Sequence, residues 1–85
     1  MTTLERLQAL LLRDFDIKPD LLRPDAALES LDIDSLRMLE ILFSVEEEFK
    51  ITVPSDQAEL KARVKTLGDL AAYIDELAAA QAGSN

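Results

Sequence analysis

Apolar positions recur along this chain at spacings of three and four, the period of a helix face, and nowhere in the alternation of a strand. Leu4, Leu7, Leu11 and Phe15 follow one another at steps of 3, 4 and 4, which predicts a first helix over about 3–15 with Thr2 or Thr3 as its N-cap. Pro19 and Pro24 then break the period, so 16–33 reads as a connection, a long one for so short a chain. Its Leu21, Leu22, Leu28, Leu31 and Ile33 are enough to pin it to a core, and it is expected to be ordered. A second helix is predicted from Asp34-Ser35 to Phe49 or Lys50, with Pro54 barring any extension. A short helical turn is expected near 55–61. Thr66, with Asp69 three residues on, resembles a capping box opening a last helix over 67–80 on Leu67, Leu70, Ile74 and Leu77. The prediction is an all-α fold: a small four-helix bundle of three main helices plus one short helix, one domain over 1–80, with 81–85 a frayed tail.

On a wheel at 100° per residue, Met38, Leu39, Ile41, Leu42, Val45 and Phe49 of the second helix cover a broad arc. Arg37, Glu40, Ser44, Glu47 and Glu48 share the narrow opposite face, so this is the central helix with one strip exposed. Leu36 and Phe43 lie at the edge of that strip, beside Glu40 and Glu47. Two readings stay open: an apolar docking stripe bordered by acids, or two residues that finish the core. Glu46, Glu47 and Glu48 occupy the last turn, where the helix dipole favours cations. Glu46 can pair with Lys50 at the i,i+4 spacing, whereas Glu47 and Glu48 have no such local partner, which favours a protein docking site.

Composition narrows the chemistry. Eighty-five residues, 48% hydrophobic, form one small domain, and 17 acids against 9 bases give a net charge of −8. Phosphate backbones and anionic lipid surfaces repel such a chain, so nucleic acid is not an expected partner, and a basic protein surface is. Without Cys there is no disulfide, thiolate nucleophile or Cys-based zinc site; without His the usual general base and commonest metal ligand are missing. An enzyme is not expected. The start does not read as a secretory signal and the apolar runs are too short to span a bilayer, so a cytoplasmic monomer is expected.

Ser35 opens the second helix directly after Asp34. A hydroxyl there faces solvent at a helix N-terminus, a setting that suits a phosphate ester, although Ser or Asp there serves equally as an ordinary N-cap. The run Leu31-Asp32-Ile33-Asp34-Ser35-Leu36, then Leu39-Glu40, Glu46-Glu47-Glu48-Phe49 and Val53-Pro54, resembles the acyl carrier proteins, with Ala27-Leu28-Glu29-Ser30-Leu31 and Thr66-Leu67 also at the expected places. The resemblance implies a bundle of acyl-carrier-protein type in which a phosphopantetheinyl transferase joins the 4′-phosphopantetheine of coenzyme A to Ser35, flanked by Asp34 and Leu36. It implies that the arm's thiol carries acyl thioesters to fatty-acid, polyketide or related lipid enzymes, with the acyl chain able to fold back between the helices. It further implies that basic patches on those enzymes meet Glu40, Glu46 and Glu47 and the apolar Leu36 and Phe43, with Arg37 on the same face.

The chain departs from the family pattern at Asp32, where many members have Gly, and at Arg37, where an acid is usual and where pairing with Glu40 at i,i+3 is expected. The connection from Leu60 to Lys65 is a few residues longer. Ser30-Leu31 is rejected as the attachment site, since no helix is predicted to begin there. Asp32-Ile33-Asp34 fails as a calcium loop at its fifth, sixth and twelfth positions, Leu36, Arg37 and Phe43. The competing readings are a peptidyl or aminoacyl carrier and an unmodified acidic helical interaction module.

Overall fold

In the computed structural model, residues 2–31, 33–54 and 57–82 are described. Thr2 caps the first helix, α1 (Thr3–Phe15): its Oγ1 accepts the Glu5 N–H at 3.1 Å while its own N–H donates to Glu5 Oε1 at 3.0 Å. Leu7, Leu10 and Leu11 are buried on the inner face of α1, and Leu4 and Phe15 pack at the margin. The following connection is not bare loop: it contains two 3-10 turns, Pro19–Leu21 and Leu28–Leu31. Leu22, Leu28 and Leu31 pin it to the core. Leu21 does not, because the tight first turn aims it outward, 45% exposed.

The second helix, α2, is Ser35–Phe49 and the third, α3, is Gln57–Arg63. The expected turn thus becomes a helix, two residues longer at its C-terminal end; Ser55 and Asp56, where it was expected to start, lie outside the described residues. The last helix, α4 (Leu67–Ala82), runs two residues past its predicted end. Gln81, expected to fray, exchanges two hydrogen bonds with the backbone of Thr52, at 2.8 and 2.7 Å, and these hold the final turn. Leu67, Leu70, Ala71, Tyr73 and Ile74 of α4 meet Ile41, Leu42 and Val45 of α2 and the inner leucines of α1 in one core, which Ile51, Leu60 and Val64 complete. No strand occurs among the described residues beyond a single antiparallel bridge, Ala27 to Thr66, and no helix is long and apolar enough to cross a membrane.

That bridge belongs to a short seam that positions the site. Leu28 N–H donates to Lys65 O (2.9 Å), Leu67 N–H to Ala26 O (3.0 Å) and Gly68 N–H to Pro24 O (2.8 Å). The connection therefore supplies carbonyls to the otherwise unpaired N–H groups at the start of α4. Gly68 permits this approach, since a Cβ there would sit 3.0 Å from the Pro24 carbonyl oxygen.

The α4 capping box forms as expected. Asp69 N–H donates to Thr66 Oγ1 (3.0 Å), and the Asp69 carboxylate accepts the N–H groups of Lys65 (3.2 Å) and Thr66 (3.1 Å). Those two bonds hold the Asp69 carboxyl below its ordinary value of 3.8. Stability linked to this group is therefore present above that value and is lost as pH falls through the depressed one. Asp69→Ala should lower the melting temperature at pH 7, and the gap from the parent chain should close on acidification below about pH 4. Thermal unfolding followed by circular dichroism across that range checks it.

Candidate functional site

Asp34 closes the N-terminus of α2. Its carboxylate accepts the Arg37 N–H at 2.7 Å, and its carbonyl accepts the Met38 N–H at 2.9 Å. Of the two capping candidates the structure thus uses Asp34, and Ser35 becomes the first helical residue. The Ser35 side chain is exposed, and its hydroxyl has no hydrogen-bond partner among the described residues. Ser30 differs: its hydroxyl donates to Ala27 O at 2.6 Å inside the second 3-10 turn.

Beside Ser35 opens a groove of about 650 Å³ between the start of α2 and α3. Leu28, Ile33, Met38, Leu60 and Val64 give it an apolar lining, and Glu29, Asp34, Ser35 and Lys65 are its exposed polar members. Sequence reasoning placed Ser35 and Asp34 at this point but not the groove, whose walls come from segments some thirty residues apart. The residues present fit a phosphopantetheine arm: an unengaged exposed hydroxyl to bear it, and an apolar trough next to that oxygen.

Along the outer face of α2, Leu36 and Phe43 are 66% and 64% exposed. Neither finishes the core; both stand in solvent on this face. Glu40 and Glu47 are exposed beside them and hold no ion pair among the described residues. Arg37 does not pair with Glu40 as expected; its guanidinium lies over the Phe15 ring of α1, 5.9 Å from the centroid. Glu46 turns to the Val53 N–H (2.9 Å) instead of Lys50, because Lys50 takes a left-handed conformation (φ 56°) that ends the helix and swings the chain back.

Glu48, which has no partner within its own helix, finds two on α1. It sits 3.4 Å from both Arg6 and Arg13 of α1, and Arg6 additionally donates to the Glu48 carbonyl at 3.1 Å and lies 4.3 Å over the Phe49 ring. Arginines from α1 thus answer the negative end of the α2 dipole. No spacing within α2 signals this, since the partners are 35 and 42 residues away.

Comparison with known proteins finds matches over most of the chain. The family model described as phosphopantetheine attachment site matches residues 5–74. An acyl carrier protein of Helicobacter hepaticus is 32% identical over 76 residues, 88% of this chain and 96% of that protein. Another of Zymomonas mobilis is 33% identical over 75 residues (87% and 92%), and one of Thermosynechococcus vestitus 32% over 78 (91% and 93%).

The geometry separates structural from surface roles on α2. Asp34→Ala should cost about 1 kcal/mol of stability through the lost cap. Phe43→Ala should stay within about 0.5 kcal/mol of the parent, as surface substitutions do. Urea denaturation of the two variants measures both.

Proposed function

The chain belongs to the phosphopantetheine-binding acyl carrier proteins, and from that premise we propose that Ser35 is the residue that bears the arm, that the cargo is an aliphatic acyl group, and that the outer face of α2 meets the enzymes that process it. A member of this family is a carrier and not an enzyme; its partners in general are phosphopantetheinyl transferases and acyl-processing enzymes. One observation carries the assignment of Ser35: an exposed hydroxyl at the first position of α2, unengaged among the described residues and bordering the groove. Its oxygen is free to form the new bond to phosphorus as its proton leaves and the adenosine bisphosphate half of coenzyme A departs. When bound, the group supplies a thiol, which this cysteine-free chain lacks, on which acyl groups are held as thioesters.

The groove supports acyl cargo over aminoacyl cargo. Leu28, Ile33, Met38, Leu60 and Val64 offer apolar contact, and no polar side chain is buried among the described residues. An aliphatic tail gains by leaving water there, whereas an ammonium among these walls would lose its hydration, the carboxylates of Glu29 and Asp34 standing only at the exposed rim. Enzymes of fatty-acid or polyketide type handle such tails, and the reading places the chain with them in the cytoplasm as a monomer. Glu40 and Glu47, with Leu36 and Phe43, suit enzyme surfaces that set basic residues around apolar pockets. Glu46 contributes less, since Val53 already occupies its carboxylate.

Incubation with coenzyme A and a permissive transferase should add one phosphopantetheinyl mass to the parent chain and to Ser30→Ala, and none to Ser35→Ala. An unmodified parent, or a label that survives in Ser35→Ala, overturns the assignment. An octanoyl group on the arm should raise the melting temperature above that of the thiol form, and a glycyl group should not. The reverse order favours the aminoacyl carrier.

A further inference from the structure

The exposed face of α2 repeats itself. Leu36 and Glu40 recur one heptad later as Phe43 and Glu47. A heptad drifts only about 20° around a straight helix, so both sets lie on one stripe, about 10 Å apart along the axis at ~1.5 Å per residue. Leu36 and Phe43 are also the most exposed large apolar side chains described. A partner with one apolar pocket and one base therefore meets two near-equivalent places to bind. Taking the second instead of the first displaces Ser35 by the same distance of about 10 Å from wherever its arm must enter.

Apart from the Leu36/Phe43 exchange, the heptads 36–42 and 43–49 differ at five positions; two of these lie off the stripe, where Ile41 and Leu42 are buried, Phe49 is half-buried and Glu48 is held by Arg6 and Arg13. Met38 and Val45 are half-buried and buried, and Glu46, opposite Leu39 in the repeat, has its carboxylate on the Val53 N–H. That leaves Arg37, exposed, where the second heptad has Ser44. Arg6 and Arg13, which reach the same helix from α1, are matched by Glu48. Arg37 faces the Phe15 ring and has no carboxylate in ion-pair range among the described residues. The stripe is thus bipolar: a cation at the Ser35 end, and unpaired acids at Glu40 and Glu47.

We infer that Arg37 sets the register in which α2 docks, and that the acyl-processing enzyme it fits presents a carboxylate opposite Arg37, beside its arm-receiving entrance, with lysines or arginines opposite Glu40 and Glu47. This rests on the carrier reading of Ser35. The occupant is identified by charge complementarity: a stripe acidic throughout fits a uniformly basic surface, and this one fits a surface of both signs. The single cation also tells the two heptads apart, because in the slipped register the enzyme's carboxylate meets Ser44 and its bases lose one acid.

The test uses the chain with an octanoyl arm on Ser35 and the condensing enzyme that elongates it, comparing the parent with Arg37→Glu and Arg37→Gln. Arg37→Glu places an acid in the first turn of α2, where the helix dipole favours it, so an unchanged or higher melting temperature serves as the folding control. The expected result is a fall in kcat/KM of about tenfold for Arg37→Glu and a smaller fall for Arg37→Gln, both shrinking as salt is raised. Changing the facing enzyme carboxylate to lysine should restore the rate with Arg37→Glu. An unchanged or increased kcat/KM for Arg37→Glu, with arm loading intact, means a uniformly basic partner and overturns the inference alone. Failure of the parent chain to take the arm overturns the carrier reading, and this inference with it.

Discussion

The first turn of a helix leaves N–H groups without partners, and a side chain that satisfies them is no longer available for other chemistry. In α2 that duty falls on Asp34, whose carboxylate takes the Arg37 N–H. Ser35, one residue later, keeps its hydroxyl unengaged and in solvent. Had serine been the cap, its oxygen would point back at the backbone, and the residue proposed to bear the arm would also be a structural support. The division of labour between two adjacent residues is what lets a reactive oxygen stand at the root of a well-anchored helix.

The same helix resolves a conflict of charge along its length. Three consecutive glutamates close α2 at the end where the dipole disfavours them. Glu46 folds onto the chain that follows, and Glu48 is held between two arginines of α1. Glu47 stays in solvent with Glu40, on the stripe that holds Leu36 and Phe43. Arg6 does more than neutralise: it bonds a terminal carbonyl of α2 and covers the Phe49 ring. The acids facing outward are therefore those not needed to hold the bundle together, so a partner can desolvate them without loosening the fold.

Much of the bundle was legible in the residue order because helix periodicity is local. α1, α2 and the start of α4 follow from apolar spacing, and the α4 capping box from residues three apart; at α1 the cap was legible only as Thr2 or Thr3, not the reciprocal bond from Glu5. The 3-10 turns were not, since turns of three or four residues have no period to read. Nor was the last turn of α4, where Gln81 is held by Thr52, 29 residues away. A wheel could not decide whether Leu36 and Phe43 were core or surface: it gives the angle of a side chain, not whether a neighbour covers it. Ser35 stood out through its place at the start of a helix and the likeness that place completes. The groove did not, because Leu28, Met38 and Val64 become neighbours only after folding.

Gly68 bears on that groove from outside it. By admitting the Pro24 carbonyl, it lets residues 24–28 be stitched to 65–68, and so joins Leu28 to Val64 and Lys65 in one hydrogen-bonded wall. Room for bulkier contents has to be found elsewhere along the trough. The adaptable parts are the unbranched thioether of Met38 and the seven-residue α3 with Leu60. Any widening of the trough would have to come from Met38 or from the short helix that carries Leu60, since the side stitched at Gly68 is tied by backbone hydrogen bonds.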